Sequence, residues 1–375
     1  MRTAIVGVCG AACMAALCAG CGGLMSLGFG TPLVEEAPAE FAMIGRMKPY
    51  ALPVHHIAFS PDGEQIVTLA YNFYSRNERV SSLPVPGVLR VWRIRDTLPP
   101  IELASLAIEG GGQFAEFTPD AREVVFGTQD GTIFWDIEGR STTRTLLEPD
   151  DERPIPAPDC RLLAVDRDDG VIEIVDSETG EIRSQIDTGS PAARTLRFTP
   201  DGRRLLIHRS DAASGALLLD VRDVATGKSV AEFFGSHQLW FGFNFVTPVS
   251  PDGRFLLHLQ TGTKNTRRLT VLEIETKLPH AVLDQSTGEY WCAAFSPDGR
   301  LLATGGEGVN DEKGKFTAWN LRTETAITSI EEESAWGVTA LAFSPDGKTL
   351  AVGNSDGEVR LRRVPDNRSA TGAKR

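Results

Sequence analysis

The stretch "VTALAFSPDGKTLAVGNSDGEVRLRRV", residues 338–364, reads as an apolar strand, a tight turn, an alternating strand, a second turn and a third strand. Its first turn is Ser344-Pro345-Asp346-Gly347, and the same tetrad recurs at residues 60–63 and 296–299, among other near-copies. Aligned on the Pro-Asp pair, the chain holds seven copies, at Pro61, Pro119, Pro158, Pro200, Pro251, Pro297 and Pro345, spaced 39 to 58 residues apart. Self-similarity at that spacing marks a repeat architecture.

The turn chemistry explains the recurrence. Ser or Thr opens a type I turn, Pro presets φ at the second position and Asp tolerates the third. Gly then accepts a left-handed backbone, which gives a three-residue hairpin with a bulge. Ala121 and Cys160 stand where the other copies have Gly, so those two turns are expected to be strained or differently shaped.

Two further strands follow each turn. The third ends in "VWRI" (91–94), "FWDI" (134–137), "EIVD" (173–176), "VRDV" (221–224), "VLEI" (271–274), "AWNL" (318–321) or "LRRV" (361–364). A fourth follows a Gly/Thr-rich turn, as in "SETGEIRSQI" (177–186). Four strands in about 40–45 residues is the size of one propeller blade.

The pattern resembles the WD40 repeat family over roughly residues 42–364, with "FWDI" the nearest copy of that family's Trp-Asp ending. The resemblance implies an all-β, seven-bladed β-propeller of four-stranded antiparallel blades, spanning 41–364. The seventh repeat stops after its third strand, so "FAMIGRM" (41–47) is expected to complete that blade and remove an open sheet edge. The Gly-His pair of many WD40 blades is absent, so the family's His–Asp–Ser/Thr–Trp network does not carry over. Asp130, Asp169 and Asp356 each precede a Gly between second and third strands, and are read as hairpin caps. Trp92, Trp135 and Trp319 share one third-strand position, which fits packing between blades.

Upstream of the repeats the chain changes character. Arg2 is followed by an uncharged run from Thr3 to Gly30, and small residues lead to "LCAGC" (17–21). A positive start, an apolar stretch and a small-residue cleavage site read as an export signal. The run resembles a bacterial lipoprotein signal, with Cys18 where that family usually has Leu. The resemblance implies removal of residues 1–20 and lipidation of Cys21, leaving 21–40 as a tether and 365–375 as a polar tail. An uncleaved transmembrane anchor and plain secretion are the alternatives. Four of six cysteines lie in the signal; Cys160 and Cys292 fall in separate repeats, too far apart to bridge, and are expected to be free and buried.

A net charge of −12 without a dense basic run argues against nucleic acid as partner. No nucleophile elbow, P-loop, dinucleotide fingerprint or zinc-type spacing is present, so no enzyme, cofactor or metal is indicated. Glu331-Glu332-Glu333 reads as a solvated loop. Long departures from the repeat, at 71–87, 235–242 and 305–315, map to one face, opposite the Ser-Pro-Asp-Gly turns. They bring Arg76, Asn77, Glu78, Trp240, Phe241 and Asn310, and the same arc gains Tyr290, Trp291 and Trp336. Aromatic and charged residues on loops compose a recognition surface. The leading expectation is therefore a monomeric, envelope-tethered scaffold for a protein or peptide. The alternatives are a hydrolase or lyase with His55, Gln113, Arg194 and Trp291 at the channel mouth, and a glycan or small-molecule sensor.

Overall fold

The computed structural model describes residues 41–48, 50–71, 86–95, 98–108, 112, 114–128, 131–146, 154–167, 169–191, 193–211, 214, 217–234, 248–261, 267–286, 290–307, 313–332, 334 and 337–365. The expected signal, tether and Cys21 lie outside them, as does the tail beyond Pro365. Every described residue belongs to one compact unit, Pro38–Arg375.

The repeat becomes seven antiparallel sheets in a ring, one per Pro-Asp turn. Blade one shows the plan: Val54–Phe59 nearest the axis, then Gln65–Ala70, Gly87–Arg95 and, outermost, Leu98–Ile108. Six blades are four-stranded; in the fifth, Phe255–Thr261, Arg267–Glu273 and Pro279–Ser286 pair in order, and Val249 bridges Leu256 in the innermost place. The expected closure is present. Met43–Met47 pairs with Val359–Arg363 and completes blade seven, with Met47 opposite Val359 and Gly45 opposite Leu361.

Apolar side chains at each junction hold the ring. Leu69 and Val91 of blade one pack with Phe117 and Trp135 of blade two, and Phe134 and Cys160 join blades two and three. Ile174 and Phe198 join three and four, and Leu219 and Leu256 four and five. Leu283 and Trp319 join five and six, Phe316 and Val352 six and seven, and Ile57 and Val359 seven and one. Each Trp thus faces the preceding blade. Second strands such as Gln65–Ala70 are buried on both faces because neighbouring blades cover both, whereas the outermost Ile182–Asp187 is largely exposed. The apolar runs near the axis and the mixed outer strands of the sequence follow from that layering.

All seven turns take one shape. In blade one the Gly63 amide donates to Ser60 O at 2.8 Å. The Ser60 hydroxyl donates to Asp62 Oδ1 at 2.5 Å and accepts from Gln65 N at 2.9 Å. Ala121 (φ 57°) and Cys160 (φ 56°) occupy the left-handed position that Gly63 (φ 76°) and Gly347 (φ 70°) fill elsewhere. The two substituted turns are strained, then, but not reshaped: the paired strands on either side hold the geometry.

Candidate functional site

The innermost strands bring chemistry to the axis. Three of them carry a bulge at the same repeat position, where His55, Trp291 and Thr339 are the extra residue. A bulge re-aims its side chain, and His55 is turned into the protein. Its Nε2 lies 3.0 Å from Tyr71 O and its ring stacks on Tyr71 at 4.1 Å. Burial lowers its pKa to about 4, so it is neutral at physiological pH. Arg194, by contrast, is exposed and donates from Nη1 to Ala193 O at 2.7 Å. His55 is a packed histidine, not a residue facing the channel mouth; Gln113 lies outside the described residues.

On the face opposite the turns, Tyr290 corrects a second expectation. It is only 9% exposed and packs with Leu257, Leu269 and Phe295 between blades five and six, so it is not a surface anchor. Trp291 beside it is half-buried. Arg76, Asn77, Glu78, Trp240, Phe241, Asn310 and Trp336 lie outside the described residues.

The expected hairpin caps divide. Asp169 Oδ1 accepts from Val171 N at 3.0 Å. In blade seven Asn354 also holds the turn, its Oδ1 accepting from Asp356 N and Glu358 N at 3.1 and 3.0 Å. Asp130 lies outside the described residues. A tryptophan relay survives without the family's histidine. Trp92 Nε1 donates to Thr68 Oγ1 at 3.0 Å, and Tyr50 OH lies 2.7 Å from that same oxygen. Trp319 Nε1 makes the equivalent bond to Thr304 Oγ1 at 2.9 Å.

Acidic residue Glu332 is not solvated, as its run of three had implied. It is fully buried and accepts from Arg362 Nε and Nη2 at 3.0 and 2.7 Å, and from Arg360. Arg360 in turn reaches Glu358 at 2.9 Å, and Glu358 pairs with Arg46 of the closing strand. Five guanidinium or carboxylate groups from blade six, blade seven and the closing strand thus share one ionic lattice. Cys160 and Cys292 are free, and burial pushes the Cys160 thiol up to about 12, so neither is a ready nucleophile. Cys160 is buried and Cys292 half-buried.

Two charged residues that the sequence reading passed over stand on innermost strands. The residue two before the turn Ser/Thr is Ala58, Ala294 or Ala342 in blades one, six and seven, but Glu116 in blade two and Arg197 in blade four. Glu116 Oε1 lies 3.4 Å from His56 Nε2 of blade one. Arg197, on the innermost strand of blade four, is half-buried, with its Nε sealed from solvent and without a hydrogen-bond partner. The signal was in the repeats: "AEFTPD" and "LRFTPD" put a charge where the other five copies have Ala, Ile or Pro.

A closed ring of seven such blades defines a β-propeller. The family model "WD domain, G-beta repeat" matches residues 278–309 and 325–362, which span most of blade six and blade seven, and the ring is WD40-like. No curated protein matches the chain.

Proposed function

We propose that this chain is a non-catalytic scaffold, held at the cell envelope by lipidated Cys21, that binds a protein or peptide partner. The observation that carries the reading is the WD40-like ring itself, a fold that generally mediates protein interactions. Antiparallel pairing sends the second-to-third and fourth-to-first connections of every blade to the end opposite the Ser-Pro-Asp-Gly turns. That end carries the insertions 71–87, 235–242 and 305–315, with Trp240, Phe241 and Trp336 as anchors. The propeller acts as a monomer.

Affinity capture from the native envelope tests the reading, comparing the full chain with a Trp240→Ala/Trp336→Ala variant of equal stability. A defined protein retained by the first and lost from the second is the expected result. Equal retention would move the interface to the turn face. In parallel, Cys21→Ser should release the protein from the membrane fraction; if it stays bound, the lipid anchor is wrong.

A further inference from the structure

The joint between blades four and five buries a histidine that bonds to nothing. His258 stands on the second strand of blade five, Phe255–Thr261, opposite Thr270, and is only 1% exposed. Its ring lies 6.3 Å from the Phe233 ring of blade four. Neither Nδ1 nor Nε2 has a hydrogen-bond partner. A neutral imidazole carries one donor and one acceptor, and both go unmet in this apolar setting. A charged imidazole there would need an anion as well.

No described carboxylate reaches it. His258 alternates with Leu256, which packs on Leu206, Leu219, Val221 and Phe233 of blade four. His208 looks across the same joint, since it alternates with Leu206 and pairs with Leu219, and it is half-buried. On blade five, Arg268 is the next residue beyond Thr270 on that face, toward the loop-bearing end. The charged groups at the turn end, Arg204, Asp223 and Glu275, are engaged elsewhere. Arg204 Nη2 donates to Glu275 at 2.7 Å, and Asp223 Oδ1 accepts from Thr226 N at 2.8 Å. Burial alone lowers the pKa of both histidines.

We propose that His258 is a proton-operated release for the joint between blades four and five. Above neutrality the ring is uncharged and the two blades stay packed. As pH falls, the imidazolium meets no carboxylate, His208 gains a like charge across the joint, and Arg268 is already cationic. The second strands Arg204–Ser210 and Phe255–Thr261 then part until His258 reaches water, which is local opening rather than loss of the fold. The joint is complete above the ordinary 6.5 of a histidine and loosens below it, because the open form binds the proton more tightly. This device does not depend on the scaffold reading.

Native-state hydrogen exchange of the full chain at pH 7 and pH 5, each corrected for intrinsic amide rates, tests this. An open joint that takes one proton at 6.5 gains up to about 25-fold in population between those values. Protection in 204–210 and 255–261 should therefore fall at least about fivefold more than in 315–320 and 349–354. The latter strands belong to blades six and seven, and the sequence has no histidine after His280. His258→Phe and His258→Leu should each abolish the excess. An equal change at both joints, or an excess that survives both variants, would overturn the proposal. If neither variant folds, His258 is a structural contact and the proposal also fails.

Discussion

Arg362 donates from Nη1 to the carbonyl oxygen of Phe41 at 3.0 Å, a bond between residues 321 positions apart. The same guanidinium holds Glu332, so one side chain ties blade six, blade seven and the start of the closing strand. Glu332→Gln would leave Arg360 and Arg362 facing a neutral group in a buried setting. Breaking a buried pair from one side costs about 3–5 kcal/mol. Urea unfolding should show that loss, and limited proteolysis should cut faster within 41–48. A loss below 1 kcal/mol would mean that water or local shifts replace the lattice.

Left-handed turn positions make a matched pair of tests. Gly299 has φ 67° and open space where a Cβ would sit, so Gly299→Ala isolates the backbone term. It should cost about 1 kcal/mol. Ala121→Gly should return about 0.5–1 kcal/mol by the converse argument, less the gain in unfolded-chain entropy. Chemical denaturation of both variants checks the signs; a stabilised Gly299→Ala would refute the assignment of strain. Cys160→Gly is not equivalent, because the thiol packs with Phe114, Val125 and Phe134.

Blade three lacks the turn hydroxyl. Six turns have a Ser or Thr that reaches the Asp two residues on, as Thr199 Oγ1 does Asp201 Oδ1 at 2.6 Å; Ala157 cannot. Asp159 still accepts from Arg161 N at 3.0 Å, so the frame is in place. Ala157→Ser should therefore stabilise by about 1 kcal/mol, one net hydrogen bond. Thermal melts of the single variant would show it, and a lowered midpoint would mean that the turn lacks room.

Stability should fall with acid in a histidine window. Burial holds His55 at about 4 against an ordinary 6.5, and lowers His208 and His258 as well. The unfolded chain takes up these protons near pH 6.5 while the folded chain does not, so stability is complete above that pH and declines toward pH 4. His55 alone accounts for about 3 kcal/mol over that window. Asp120, lowered by the Thr118 hydroxyl bond, acts only below the ordinary carboxylate range and leaves the window clear. Urea midpoints at pH 7 and 5 should differ, and less so in His55→Gln; equal shifts would assign the effect elsewhere.

The turns, the blade count and the donated strand were legible because each rests on local chemistry repeated seven times. Phe41 to Met47 could be placed as the missing strand by counting alone. Tyr290 and Glu332 were misread for a shared reason: aromatic and acidic residues were taken at face value where a partner far along the chain covers them. Glu332 needs Arg360 and Arg362, whose alternation in "VRLRR" places both on one face. His55 was misplaced because a bulge shifts the pleat by one residue, and nothing in "VHHIAF" announces a bulge. The Tyr50 hydroxyl stands in a role that no Gly-His motif could reveal.

Arg363 N donates to Ala42 O at 2.9 Å, so the last strand of the ring lies beside the first. The ring has a seam there, closed by hydrogen bonds, the ionic lattice and the burial of Phe41 and Met47, with no covalent link. A short linker joining residue 365 to residue 41 would make that seam covalent, and new ends could then be opened in an exposed loop between two other blades. Such a circular permutant would keep every blade while moving the chain ends to the opposite side of the ring.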